Sequence, residues 1–262
     1  MTLVIKVGGH ALDDLSAASA VLGDLATDVA RLREGGERVV LVHGGGPQIA
    51  QLLALAGLES RFVDGLRVTD EPTMGFVAMA LADVNLRVVA ALNHAGLAAV
   101  GLTGADGSLL HSTSLGEPWQ RAGGAPSVRA DVVLALVDAG FVPVVCSVAL
   151  DAQGGLLNCN ADAAAGALAR ALDADRLVLL SDVDQIRSDA NDPASALTAL
   201  TRDELRSLVD SGAAREGMRP KAEAALAALE GGARSVTLAN GGRAHALAGA
   251  LSGEIPTTEV TQ

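Results

Sequence analysis

The chain has 262 residues, 19 of them basic and 31 acidic, for a formal charge of −12. That balance argues against a nucleic-acid or anionic-membrane partner and suits a protein that handles anionic ligands at a local positive site. Half of the residues are hydrophobic, only 2% are aromatic and tyrosine is absent, so the core is expected to be aliphatic and alanine-packed, in one large or two small domains.

In chain order, continuously apolar runs at residues 3–7, 38–42, 97–102, 142–148, 176–180 and 235–238 read as parallel strands buried on both faces. Helical stretches lie between them at 14–33, 48–55, 72–94, 130–139, 162–172, 203–209, 221–229 and 243–251. This alternation predicts βαβ units and an α/β fold, a three-layer αβα sandwich around a mainly parallel central sheet. Residues 108–128, with Gly, Ser, Thr, Pro and the only Trp, read as short hairpins, and 188–196 as a loop. A turn-rich stretch at 149–156 marks a soft boundary between an N-terminal half, 1–150, and a C-terminal half, 151–262. No run of about eighteen apolar residues occurs and no basic segment precedes an apolar one, so neither a membrane span nor a signal peptide is expected. Two cysteines, Cys146 and Cys159, fit a reducing cytoplasm, Cys146 as a packing residue in an apolar strand.

Open parallel sheets bind ligands at the carboxyl ends of their strands, so the loops there are the candidates for function. Lys6-Val7-Gly8-Gly9-His10 places a lysine just ahead of glycines that let backbone approach an anion; His10 reads as a loop hydrogen-bonder. His43-Gly44-Gly45-Gly46-Pro47-Gln48 joins three glycines to a proline suited to a first helical turn, a helix N-terminus with bare N–H groups. Gly65-Leu66-Arg67-Val68-Thr69-Asp70 offers a guanidinium able to grip a carboxylate, with Thr69 or Asp70 as a helix cap. Asn158-Cys159-Asn160-Ala161-Asp162 sets polar groups at alternate positions on a helix start, where Asp162 reads either as a cap or as a carboxylate that orients lysines. Ser181-Asp182 either contacts a nucleotide or closes a turn.

The lysines themselves are informative. Only two occur, Lys6 and Lys221, against seventeen arginines. Lysine persists where a compact point charge is needed and a planar guanidinium does not fit, which makes both candidates for holding phosphate.

These blocks, with Val100-Gly101-Leu102-Thr103-Gly104-Ala105-Asp106-Gly107 and Gly217-Met218-Arg219-Pro220-Lys221, run through nearly the whole chain, which resembles the amino acid kinase family. Within it the His-Gly-Gly-Gly-Pro and Gly-Leu-Arg-Val-Thr blocks are most similar to the branch that phosphorylates N-acetyl-L-glutamate in arginine biosynthesis. The resemblance implies an acyl-amino-acid-binding and dimerising N-terminal half and a MgATP-binding C-terminal half, with direct in-line phosphoryl transfer. It implies Lys6 on the moving phosphoryl group, Lys221 on the bridging oxygen and leaving phosphates, and Asp162 orienting both. It further implies backbone N–H donation from Gly9, Gly44 and Gly45, a nucleotide contact from Gly8, and substrate contacts from Arg67, Asn158 and Asn160. Ser181, Asp182 and Met218 fall at the nucleotide, while Mg²⁺ is held by phosphates and water with no protein ligand. A cytoplasmic homodimer without arginine feedback is implied, because the first strand begins at Leu3 where arginine-sensitive relatives carry an extra helix. Departures are Ala82-Asp83-Val84-Asn85-Leu86, where the family often shows Gly-Lys-Val-Asn-Lys, and a poorly matching end at 253–260. Alternatives are a carrier-protein-linked aminoadipate or glutamate kinase and a non-catalytic ligand-sensing module.

Overall fold

In the computed structural model, which describes residues 1–8, 12–16, 19–189, 192–212 and 218–262, each expected apolar run forms a strand. The elements are β1 (Thr2–Val7), α1 (Ala20–Glu34), β2 (Arg38–His43), α2 (Gly46–Leu55), β3 (Phe62–Val63), β4 (Leu66–Arg67), α3 (Glu71–His94) and β5 (Ala99–Thr103). Next come β6 (Leu110–His111), β7 (Ser114–Gly116), β8 (Gln120–Gly123), β9 (Ser127–Val128), α4 (Asp131–Asp138), β10 (Val142–Cys146), β11 (Val148–Leu150), β12 (Leu156–Asn158) and α5 (Ala161–Ala171). The chain closes with β13 (Arg176–Ser181), β14 (Ile186–Arg187), β15 (Ala196–Leu197), β16 (Ala199–Thr201), α6 (Arg202–Asp210), α7 (Met218–Glu230), β17 (Ser235–Asn240), α8 (Ala246–Ser252) and β18 (Thr257–Thr261).

Eight strands form the central sheet in the order β16-β18-β17-β13-β1-β2-β10-β5. All neighbours are parallel except β17 and β18. The two-residue period of β1 assigns its side chains to the two helical layers. Leu3, Ile5 and Val7 join the core under α1, α3 and α8, whereas Val4 joins the core under α4 to α7. Lys6 therefore faces α5 and α7. The same period in β2 sends Val40 and Val42 to the second layer and Val39 and Leu41 to the first, so His43 faces α3.

A second sheet, β7-β8-β12-β11-β6-β9, is built from the 108–128 excursion and the β11–β12 hairpin. The turn-rich stretch at 149–156 is the turn of that hairpin, with Asp151 accepting the N–H groups of Gln153 and Gly155 at 2.9 and 2.7 Å. The central sheet runs across it, because β1 pairs with β2 on one side and β13 on the other.

Three helix starts differ from the sequence reading, α7 opening a turn early at Met218 rather than Lys221 and two others opening late. The first helix begins at Ala20 rather than Asp14, because the Asp14 carboxylate accepts the Ser16 N–H in a local turn and Ser19 caps the helix through Leu22. The last begins at Ala246 rather than Arg243: His245 is left-handed at φ 46° and the buried Asp28 of α1 accepts the Ala248 N–H. Helix α3 is long and apolar enough to cross a bilayer by length and composition. Its Met74, Val77, Leu81, Val84, Val88 and Leu92 are buried in the core, so one face of the helix is committed to packing against the sheet.

Candidate active site

Lys6, at the end of β1, meets the first turns of two helices. Its ammonium lies 2.8 Å from Asp162 Oδ1 on α5, and Lys221 Nζ on α7 lies 3.3 Å from Asp162 Oδ2. The reason α5 and α7 deliver these groups together is backbone proximity along parallel axes. A Cβ at Gly166 would sit 2.7 Å from the Ala224 carbonyl oxygen, and one at Gly231 would strike the Arg170 backbone. Only glycine lets the two helices lie this close, so the first turns carrying Asp162 and Lys221 converge at the tip of β1.

All three groups are withdrawn from water, Lys6 at 7% exposure and Asp162 at 5%. Burial opposes the Asp162 charge, but the attraction of Lys6 and Lys221 outweighs it and holds the carboxyl below its ordinary range. Asp162 is thus an ionised bridge between two cations and is not poised to accept a proton. A Cβ at Gly8 would run into the Lys6 ammonium, so glycine there is what leaves room beside the lysine. Gly9 and His10 lie outside the described residues.

The glycine loop closes the other side. A Cβ at Gly44 would touch the Ala161 Cβ at 3.4 Å, which brings the loop against the first residue of α5. The Gly44 N–H extends the β1–β2 ladder through a long 3.4 Å bond to the Val7 carbonyl, so Gly45, at the N-cap of α2, heads the set of free donors. Arg67, mostly buried, donates to the Gly46 carbonyl at 3.0 Å and to the Ser60 hydroxyl, and its guanidinium stacks 4.7 Å over the Phe62 ring. Burial lowers its pKa from the ordinary arginine value, and among the described residues no carboxylate pairs with it. Asn158 donates to the buried Thr69 hydroxyl at 3.2 Å, and Thr69 donates to the Arg67 carbonyl at 2.9 Å. Thr69 is a link that sequence reading offered only as a helix cap; Asp70 is the cap, accepting the Thr73 N–H at 2.8 Å.

The remaining candidates stand nearby with local roles. Asn160 is the N-cap of α5, its Oδ1 accepting from Asp162 and Ala163 at 2.7 and 3.3 Å. This leaves Asp162 free of capping duty. Asn160 also lines a cleft of about 800 Å³ together with Leu66, Pro126, Ala163 and Pro220. Ser181 ends β13, one position beyond the Leu180 that pairs with Val7, and its hydroxyl closes a turn with the Val183 N–H at 3.2 Å. Asp182 is exposed, and Met218 opens α7, partly buried against the core. Both cysteines are buried with thiols pushed up to about 11, so neither is a nucleophile at neutral pH.

One buried group in this region escaped the sequence reading. His43 is 1% exposed, and burial pulls its pKa down to about 4 against the opposing pull of the Gly44 carbonyl. Asn85, which with Val84 keeps the family's identity in the altered 82–86 segment, reaches it from α3: its amide nitrogen lies 2.9 Å from His43 Nε2 and 2.9 Å from the Val144 carbonyl. The pH consequence has a definite sign. Below pH 6.5 the unfolded chain protonates this histidine, whereas the folded one does so only near 4, so stability falls as pH drops through that window and levels out below it. The loss should reach about 3 kcal/mol. Denaturant titrations from pH 7 to 4 should show it, and His43→Asn should flatten it; an equal slope in both proteins would rule it out.

Residues 1–240 match the amino acid kinase family. The chain belongs to that family. Among curated relatives, the acetylglutamate kinase of Desulfitobacterium hafniense is 39% identical over 259 residues, covering 94% of this chain and 86% of the relative. Among solved structures, smu.665 from Streptococcus mutans UA159 superposes with a TM-score of 0.80 at 27% identity, covering 91% of this chain and 94% of that one. Carbamate kinase from Giardia lamblia bound to AMP-PNP gives 0.71 at 18% identity over 99% and 98% of the two chains, a likeness of fold. For an amino acid kinase, the convergence of two lysines on one carboxylate beside a glycine loop is an arrangement suited to joining two anions.

Proposed function

We propose that this amino acid kinase transfers the γ-phosphoryl group of ATP directly to the side-chain carboxylate of free N-acetyl-L-glutamate, forming the acyl phosphate in arginine biosynthesis. The Lys6–Asp162–Lys221 bridge carries the reading. A carboxylate acceptor is already ionised, so the reaction needs no general base. One carboxylate oxygen forms the new P–O bond, the bond to the β–γ bridging oxygen breaks, and the electron pair leaves with ADP. What the protein must supply is alignment of two anions and neutralisation of charge on the transferring group. Paired ammonium groups that Asp162 holds in place can do both, with the N-termini of α5 and α7 adding two positive dipole ends. The missing side chain at Gly8 is what lets the Lys6 ammonium take its place at the tip of β1. Mg²⁺, when bound, would neutralise the phosphates, and we assign it no protein ligand.

In this reading residues 1–150 seat the acyl amino acid and 151–262 the nucleotide. Gly44, Gly45, Arg67, Asn158 and Asn160 are assigned to the acyl amino acid; Gly8, Ser181, Asp182 and Met218 are assigned to the nucleotide with the lysines, as is Gly9, which lies outside the described residues. The support for Arg67 is its buried guanidinium, without a carboxylate partner among the described residues, beside the glycine loop. Formation of the acyl phosphate, trapped by hydroxylamine, tests the activity: no hydroxamate from free N-acetylglutamate and ATP would sink it.

Arg67→Ala tests the division of labour. Losing a hydrogen-bonded charge partner is worth about 1.5–3 kcal/mol, so KM for N-acetylglutamate should rise roughly 10- to 150-fold. KM for ATP should barely move. A rise in the ATP value alone would mean that the halves are assigned the wrong way round.

A cytoplasmic homodimer completes the proposal. Met79 and Leu86 stand 54% and 68% exposed on the outward stripe of α3, next to the free edge strand β5. Met79→Glu with Leu86→Glu should turn a dimer into a monomer in sedimentation; an unchanged mass would move the interface elsewhere.

A further inference from the structure

The histidine that opens the glycine loop is held in one tautomer, and the geometry identifies which. The Val144 carbonyl can only accept, so the Asn85 atom 2.9 Å from it must be the amide nitrogen. That same nitrogen lies 2.9 Å from His43 Nε2. With one of its two hydrogens on Val144, it donates the other to the ring, which requires a lone pair on Nε2. The proton then sits on Nδ1, and Nδ1 donates to the Gly44 carbonyl at 2.8 Å. Four elements cooperate in this. His43 ends β2, Asn85 comes from α3, Val144 lies in β10, and β5 contributes Gly101, where a Cβ would collide with the Asn85 Oδ1.

The consequence reaches the site through the rigidity of the peptide group. In a trans peptide the C=O of one residue and the N–H of the next point in opposite directions. A Gly44 carbonyl drawn in toward His43 turns the Gly45 N–H away from the core, at the N-cap of α2 where the free donors of that helix begin. Glycine at 44 and 45 gives the peptide no side-chain reason to hold this orientation, so the restraint must come from outside the loop.

We propose that His43, held as the Nδ1–H tautomer by Asn85, is a positioning residue that turns the Gly44–Gly45 peptide so that the Gly45 N–H presents to the acyl-substrate carboxylate. The inference rests on the proposed seating of the acyl amino acid at this loop. It assigns His43 no proton transfer: a ring with a pKa near 4 stays neutral through the working range, and its neutrality is what keeps Nε2 an acceptor for Asn85. It also explains why asparagine stays at 85 while the flanking lysines of that helix segment are absent.

Two experiments decide it. In the wild-type protein labelled with ¹⁵N, the His43 ring should show a protonated Nδ1 and an unprotonated Nε2, unchanged between about pH 6 and 8. A proton on Nε2, or a doubly protonated ring, overturns the inference without any variant having to fold. The kinetic arm compares His43→Leu, which has no donor, with His43→Asn, whose amide nitrogen stands where Nδ1 was. His43→Leu should lower kcat/KM for N-acetylglutamate about 10- to 100-fold, with KM for ATP changed less than about twofold. His43→Asn should recover most of that loss. Equal loss in both variants, or equal disturbance of both substrates, assigns His43 to general packing and overturns the positioning role. Failure of the hydroxylamine assay in the wild type would overturn the proposed function and leave the tautomer as found.

Discussion

Lys221→Arg should fold like the wild type and turn over about 10²-fold more slowly or worse, the scale of losing one preorganised transition-state donor. The charge survives the substitution, but its shape does not. Lys221 Nζ occupies one point 3.3 Å from Asp162 Oδ2, on a side chain 12% exposed at the mouth of α7. A guanidinium there would grip Asp162 with a planar fork and turn its remaining donors where the fork dictates, not where the phosphate lies. Lys6→Arg should lose as much activity and some stability as well. Lys6 is buried with its ammonium against Gly8, so the larger group must displace neighbours. Overpacking of this kind costs about 1–3 kcal/mol. Steady-state kinetics and denaturant unfolding on both variants separate the effects. Near-normal turnover in Lys221→Arg would sink the catalytic reading of that lysine.

The lysines were legible because a point charge is scarce in a chain that uses arginine nearly everywhere else. The six main strands were legible for a related reason: strands buried on both faces leave unbroken apolar runs. What escaped the reading has weaker local signals. Thr257–Thr261 forms β18, antiparallel to β17, yet its Thr-Thr-Glu-Val-Thr stretch alternates with only one large apolar residue. The starts of α1 and α8 were misplaced because Asp14 makes a turn bond and because the cap of α8 comes from Asp28, more than two hundred residues away in sequence. The His43–Asn85 pair was invisible for the same reason: its two members lie on different elements and meet only through the layer to which the strand period assigns His43. Asp162 was weighed as a helix cap, and only the structure shows Asn160 taking that task. Motif positions could be read one at a time. The distances that make them a site depend on Gly166 and Gly231, whose importance lies in what they let α7 and α5 do.

Asp162→Asn should be the most damaging single-atom change in the protein. Its carboxylate lies 2.8 Å from one ammonium and 3.3 Å from the other, in a site where all three groups are nearly sealed from water. An amide keeps the shape and removes the one carboxylate that lies against both ammonium groups. Removing one partner of a buried pair typically costs about 3–5 kcal/mol, and here a single substitution weakens the contacts of two ammonium groups. A fall in Tm of roughly 10 °C is the corresponding scale for a chain of this size. Turnover should drop at least about 10²-fold, because lysines that repel each other no longer hold the two anions in line. The pH dependence supplies a check with a definite sign. The folded pKa of Asp162 lies below the ordinary 3.8, so its contribution is complete above that value and disappears as pH falls through the lowered one. The stability gap between wild type and variant should therefore stay constant through neutral and mildly acidic pH and narrow only below about 3.8. Inorganic phosphate or ATP, an anion offered to the two ammonium groups, should stabilise the variant more than the wild type. A variant with wild-type unfolding and turnover would show that the three charges are not coupled in the way their distances imply.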